Sequence, residues 1–141
     1  MLLKKLVIKN LRSYEDQEIV FPKGSVLLSG DIGSGKTTIL LAIEFALFGL
    51  QPSQKAASLL RTDKDEAKVI LELEVENKNV TIERTLKRGK KSIVQDSSLL
   101  IIDNEKFEES VTEIKSRILK LLNYPSEFSK KTNLLYKPKT F

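Results

Sequence analysis

The sequence predicts an α/β fold, a mixed sheet with an antiparallel β-subdomain and flanking helices, organised around a phosphate-binding loop. Three observations carry that prediction. Residues 30–37 read G-D-I-G-S-G-K-T, which fits the pattern G-x-x-x-x-G-K-[ST] of a loop that cradles a nucleotide triphosphate. The loop stands between a short apolar run at 25–29, as a strand buried in a parallel sheet requires, and a run from Ile39 to Phe48 whose apolar residues surround a helix almost completely. From Ala67 onward the apolar period drops to two, as in half-buried antiparallel strands.

Taken in chain order, Leu3, Leu6, Val7, Ile8 and Leu11 predict a first strand, and the polar stretch 12–17 predicts a loop. A second short strand is expected over 19–21, ended by the turn P-K-G at 22–24. The loop-bearing strand follows, then the apolar helix, which Gly49 stops. Residues 51–55 form a polar connector, and 56–60 a short helical turn before Arg61. Val69, Leu71, Leu73 and Val75 face one side of a strand, the turn N-K-N at 77–79 reverses the chain, and 80–86 returns. A second turn at 87–91 leads to strands at 92–94 and 99–102. Ser110 and Glu113 then have the spacing of a capping box, and Val111, Ile114, Ile118, Leu121 and Leu122 recur at helical spacing until Pro125, a stripe expected to cover the sheet.

The chemistry of the loop follows from its residue types. Gly30, Gly33 and Gly35 present no Cβ, so main-chain N–H groups can turn inward around a phosphate. Lys36 supplies a positive charge to the β- and γ-oxygens, Thr37 supplies a hydroxyl to Mg²⁺, and the following helix aims its positive end at the anion.

With 141 residues the chain makes one domain, large enough for a hydrophobic core and small for a complete nucleotide-hydrolysing engine, so a piece of something larger is expected. Cysteine is absent and no cleavable apolar leader precedes Lys4 and Lys5, which predicts a soluble intracellular protein without disulfides. No apolar run approaches the ~20 residues of a membrane-spanning helix. A net charge of +5 is compatible with a polyanionic partner and does not by itself identify one.

K-N-L-R-S-Y (Lys9 to Tyr14), the G-D-I-G-S-G-K-T-T loop and A-I-E-F-A-L-F-G (Ala42 to Gly49) stand at a relative spacing shared with a known family. The chain resembles the N-terminal half of the head of SMC-like coiled-coil ATPases. Within that group it is most similar to the double-strand-break repair ATPases of the Rad-fifty type, with RecF-like and chromosome-condensing SMC relatives close behind. The likeness covers most of the chain and is specific over residues 1–50.

The resemblance implies that residues 1–141 are one ABC-type P-loop ATPase lobe, half of a head split by a coiled coil. It implies ATP and Mg²⁺ as ligands and the C-terminal half of the same head as the carrier of the Walker B acids, signature motif and switch histidine. It further implies a homodimer closed through ATP, DNA held by the clamp, a nuclease partner, and a cytoplasmic or nucleoid location without a membrane. Histidine and an S-G-G signature are both absent here, so no catalytic residue is expected within the chain. The implied nucleotide contacts are Arg12, Gly30, Ile32, Gly33, Ser34, Gly35, Lys36, Thr37, Thr38 and Arg61, with Thr37 also on the metal. Asp31-Ile32 replaces a family pair that ends in asparagine, which leaves only main-chain donors at position 32. Residues 133–141, where the family places a glutamine that holds Mg²⁺ and water, contain none.

Two further features have competing readings. Residues 98–103 (S-L-L-I-I-D) imitate a Walker B strand, which would make the chain a self-contained small kinase or GTPase-like protein; the alternative is a strand ending in an Asp-Asn turn. Lys87, Arg88, Lys90 and Lys91 surround Gly89, either as a hairpin tip that touches DNA phosphates without reading sequence or as an ordinary solvated turn. A nucleotide-binding subunit that only signals occupancy remains a further reading, and spacing alone does not separate ATP from GTP.

Overall fold

The structure, a computed structural model, describes residues 2–21, 36–50 and 56–122; for Lys36, Thr37, Asp96 and Ser97 it describes the main chain only. The elements are β1 (Leu2–Leu11), β2 (Tyr14–Val20), α1 (Lys36–Phe48), a 3₁₀ turn (Ala56–Ser58), β3 (Glu66–Val75), β4 (Lys78–Arg88), β5 (Ile93–Ile102), β6 (Glu105–Phe107) and α2 (Val111–Leu121). The strands form one six-stranded sheet in the order β2-β1-β3-β4-β5-β6, antiparallel at every described pairing. The expected strand at 25–29, the connector at 51–55 and the stretch from 123 onward lie outside the described residues.

The period-two pattern is realised as expected. Val69, Leu71, Leu73 and Val75 of β3 are buried, while Lys68, Glu72 and Glu74 on the opposite face take part in ion pairs with Glu83, Lys5 and Lys4. Such exposed pairs contribute about 0–1 kcal/mol each, so the apolar face carries the stability. On that face lies α1, buried nearly all round through Ala42, Ile43, Phe45, Ala46, Leu47 and Phe48, against β1, β3 and β4. The second helix packs Ile114, Ile118 and Leu119 against β5 and α1, so its apolar stripe does cover the sheet. Its capping box is present: the Glu113 N–H donates to Ser110 Oγ at 3.2 Å, and the Ser110 N–H donates to Glu113 Oε1 at 3.2 Å.

Three local expectations are corrected, and one element is new. Residues 12–17 are not a loop: Arg12-Ser13 is a two-residue turn, and β2 runs from Tyr14, paired with β1 from Leu11↔Tyr14 to Lys5↔Val20. This edge strand is mostly exposed, so main-chain pairing specifies it and no apolar alternation marks it. The β3–β4 turn falls at Glu76-Asn77, with φ of 49° and 65°, one residue before the expected position. The segments 92–94 and 99–102 are one strand, β5, with a register shift against β4 between Arg84 and Leu86. The short edge strand β6 went unforeseen, because three residues of mixed polarity hold no pattern.

Helix α1 is fastened to the sheet by a residue that sequence reasoning passed over. Its last turn leaves carbonyls without intrahelical donors. Gly49, at φ 74°, turns its N–H back to the Phe45 carbonyl at 2.8 Å, and the guanidinium of Arg84 on β4 serves the next two. Arg84 Nε donates to the Ala46 carbonyl at 3.1 Å, Nη2 to that of Leu47 at 3.5 Å, and Nη1 to Ser98 Oγ at 3.1 Å. The side chain is 0 % exposed, and burial pulls its pKa down to about 10, which still leaves it charged at neutral pH beside the negative end of the helix.

Glu44, on the same helix, is buried as well, and burial pushes its carboxyl above the ordinary carboxylate range; its Oε2 meets no hydrogen-bond donor. The folded chain therefore holds this proton more tightly than the unfolded chain. The stability that Glu44 withholds is lost as pH rises through the raised value, and it is not lost below the ordinary range. Glu44→Gln is expected to raise the melting temperature at neutral pH, with the gain shrinking at about pH 3.5. Equal gains in melts at both pH values would contradict this account.

Candidate nucleotide-binding site

The phosphate loop from Gly30 to Gly35, with Ile32, Gly33 and Ser34, lies outside the described residues. What the structure does describe is the element that the motif opens. Lys36 and Thr37 begin α1 as its first two residues, and Thr38, 5 % exposed, is buried in the lobe. The motif's requirement of a helix directly after the lysine is thus met, and a helix of 13 residues directs its N-terminal N–H groups and positive dipole end at that point.

Arg12 and Arg61 are separated by 49 positions and are brought together. The end of β1 pairs with the segment after the 3₁₀ turn: Leu11 bridges Leu60, the Arg12 N–H donates to the Leu59 carbonyl at 2.7 Å, and the Arg61 N–H donates to the Asn10 carbonyl at 3.0 Å. Leu59 and Leu60 anchor this segment in the core. Main-chain geometry at the turn is unusual, with Asn10 at φ 56° and Arg12 at φ 50°, in the left-handed region that side chains rarely adopt outside turns and functional sites. Arg61 Nη1 donates to the Arg12 carbonyl at 3.1 Å, whereas Arg61 Nε is buried without a hydrogen-bond acceptor and stands 3.5 Å from an Asp63 carboxylate oxygen.

Between these residues opens a cleft of about 430 Å³ whose lining includes Arg12, Ser58, Arg61 and Asp63. Two cationic side chains, Arg12 and Arg61, thus line one cleft together with the Asp63 carboxylate that stands beside Arg61. Among the described residues no group of three or more His, Cys, Asp or Glu could hold a metal ion. An ion that arrives on nucleotide phosphates and keeps several waters needs few protein ligands.

The basic turn is only partly as expected. Lys90 and Lys91 are exposed beside a second cleft of about 630 Å³ next to Ala56 and Ala57. Lys87 stands 3.9 Å from Glu66, and Arg88 is committed to main-chain carbonyls of residues 61, 62 and 64. Arg88 is thus exposed at the turn while its guanidinium is engaged by the neighbouring loop, including an Asp65 carboxylate oxygen at 3.7 Å.

The Walker B imitation resolves as a turn. Strand β5 is antiparallel to both neighbours, and Asp103-Asn104 is a two-residue reversal with φ of 47° and 77° into β6. Asp103 Oδ1 accepts the Asn79 N–H at 2.9 Å, so the carboxylate closes the end of the β4–β5 pair.

The family model described as AAA domain, AAA_23, matches residues 5–139. Among curated relatives, the DNA double-strand break repair Rad50 ATPase of Methanosarcina acetivorans is 33% identical over 132 residues, 90% of this chain and 12% of the relative. The Rad50 ATPase of Thermoplasma acidophilum is 28% identical over 120 residues, 85% of this chain and 13% of the relative. The chain therefore spans about an eighth of the length of these relatives. Among solved structures, the recombination mediator protein RecF with ATP superposes with a TM-score of 0.62 at 23% identity, over 80% of this chain and 29% of that one. The SMC head domain from Thermotoga maritima superposes with a TM-score of 0.50 at 22% identity, over 83% of this chain and 42% of that one. At such identities the likeness is one of fold, and that fold is the ABC-type P-loop head. The match over all but the ends of the chain places this protein in the AAA_23 family of AAA domains, and within it the chain is similar to the N-terminal half of a Rad50-type head.

Proposed function

We propose that the chain is the ATP-binding N-terminal lobe of an SMC-like ATPase head that acts in DNA double-strand-break repair. The observation that carries this reading is G-D-I-G-S-G-K-T running directly into α1 at Lys36, in a chain of this family. Mg·ATP is held by main-chain donors from Gly30 to Gly35, by Lys36 and by Thr37 and Thr38, with Thr37 on the metal and Arg12 and Arg61 on the phosphate oxygens. Mg²⁺ neutralises charge on the β- and γ-oxygens when bound, and this chain's share of the work is to bind and orient the triphosphate.

Hydrolysis needs the C-terminal half of the same head for the Walker B acids and signature motif. Two such heads close as a homodimer on two ATP molecules, engage DNA in the cytoplasm or nucleoid, and control a nuclease partner. Lys90 and Lys91 are the proposed non-specific DNA contacts, with Lys87 beside them. The support is the likeness to Rad50 ATPases and the exposure of that turn.

Mixing the chain with the C-terminal half of the head and measuring ATP hydrolysis, with and without duplex DNA, tests this reading. Turnover that appears only after mixing supports it. Turnover by the chain alone would identify a self-contained phosphotransferase, and none after mixing would identify a subunit that only signals occupancy.

A further inference from the structure

Arg88 stands exposed in the basic turn, yet its guanidinium turns to the neighbouring loop at 61–65, where Nε also stands 3.7 Å from an Asp65 carboxylate oxygen. Nε donates to the Lys64 carbonyl at 3.2 Å, and Nη2 donates to the carbonyls of Lys64 at 3.0 Å, Arg61 at 3.3 Å and Thr62 at 3.3 Å. The main chain doubles the link, because the Arg88 N–H donates to the Asp65 carbonyl at 2.8 Å. Three carbonyls that converge on one point form an electronegative cup, and the planar, permanently charged fork of arginine fills it.

The loop so gathered is the one that carries Arg61. On its other side, Arg61 Nη1 reaches the Arg12 carbonyl, its buried Nε stands 3.5 Å from an Asp63 carboxylate oxygen, and the residue lines the 430 Å³ cleft beside Arg12. The geometry points to Arg88 as a positioning residue of the nucleotide site: by drawing in the carbonyls of residues 61, 62 and 64 it holds Arg61 beside Arg12, so that both face one polyphosphate. The inference rests on the function proposed above and names the ligand of this cleft as the phosphate tail of a nucleotide, not the phosphates of DNA. Arg88 does not touch that tail. It acts by ordering Arg61 before the ligand arrives, so that less freedom is lost on binding.

The test is an equilibrium titration of the full chain with Mg·ATP at fixed ionic strength, on Arg88→Gln, Arg88→Lys, Arg61→Gln, the Arg61→Gln/Arg88→Gln pair and Lys36→Ala. Arg88→Gln is expected to weaken binding about ten-fold, the scale of one charge-assisted hydrogen bond, and Arg88→Lys to restore only part, because the shorter lysine has no counterpart of the Nε–H bond to the Lys64 carbonyl and its ammonium falls short of the point that Nη2 occupies. The loss should vanish when Arg61 is already glutamine, since the two residues act in series. Duplex DNA affinity and its salt slope should not change in Arg88→Gln.

Equal losses in both Arg61 backgrounds would assign Arg88 a general structural role and overturn the inference. Lost DNA affinity with unchanged nucleotide affinity would return Arg88 to the DNA surface. Parent-like binding by Arg61→Gln would overturn it too, while Lys36→Ala still abolishing binding would keep the nucleotide reading; parent-like binding by Lys36→Ala would bring down both. Should Arg88→Gln not fold, the NMR signal of the Arg61 Nε–H in Arg88→Lys decides: faster exchange with water is expected, and an unchanged signal overturns the assignment.

Discussion

Replacing Arg84 with alanine is expected to destabilise the chain by roughly 3–5 kcal/mol, the combined scale of several buried unmet polar groups and a large-to-small cavity. The effect has two sources. The Ala46 and Leu47 carbonyls at the end of α1 lose their donors, and Ser98 Oγ loses its partner, each in a place that water does not reach. The deleted side chain is also among the largest that are fully buried, so a cavity is left between α1 and the β4–β5 pair. Arg84→Met separates the two terms: it keeps most of the volume and is expected to cost about 2 kcal/mol from the unmet carbonyls alone. Urea unfolding of the three chains measures both. An Arg84→Ala chain within about 1 kcal/mol of the parent would mean that the guanidinium does not hold the helix end.

Lys36→Ala is expected to lower Mg·ATP affinity by about 100-fold or more, equivalent to roughly 3 kcal/mol. The ammonium is the compact point charge that the motif supplies to the β- and γ-oxygens, and charge-assisted bonds of this kind are the strong ones. Folding should be unaffected, because position 36 is the first residue of α1, where the main-chain N–H needs no intrahelical partner and alanine is a good helix former. Parent-like affinity in a calorimetric titration, with an unchanged melting temperature, would remove the foundation of the proposed function.

The parts that could be read in advance share one property: a local pattern with a single physical meaning. The alternation from Val69 to Val75 can satisfy only a strand with one buried face, Ser110 with Glu113 can close only a helix N-terminus, and Gly49 sits where a helix must take a positive φ to stop. The unread parts obey rules that no local window contains. Strand β2 has almost no buried face, and only pairing with β1 makes it a strand.

Arg84 and Arg88 show the same divide within the candidate site. In the sequence they are two of 24 basic residues, four positions apart on one strand, and only one of them was noticed, as part of a charged turn. What gives each its work is the identity of the carbonyls it meets, 37 and 38 positions away for Arg84 and 24 to 27 positions away for Arg88.

By itself, then, the chain of residues determined the class of fold, the helix that opens at Lys36, and the family, because glycine spacing, a lysine and an apolar helix constrain backbone and charge over a few consecutive positions. Only the tertiary structure decided that Arg12 and Arg61 share a cleft, that Arg88 is tied to the loop at 61–64 and that Arg84 ends α1. Those facts depend on which unpaired carbonyls and which side chains the packed sheet brings within about 3 Å of one another, a condition set by the whole fold at once.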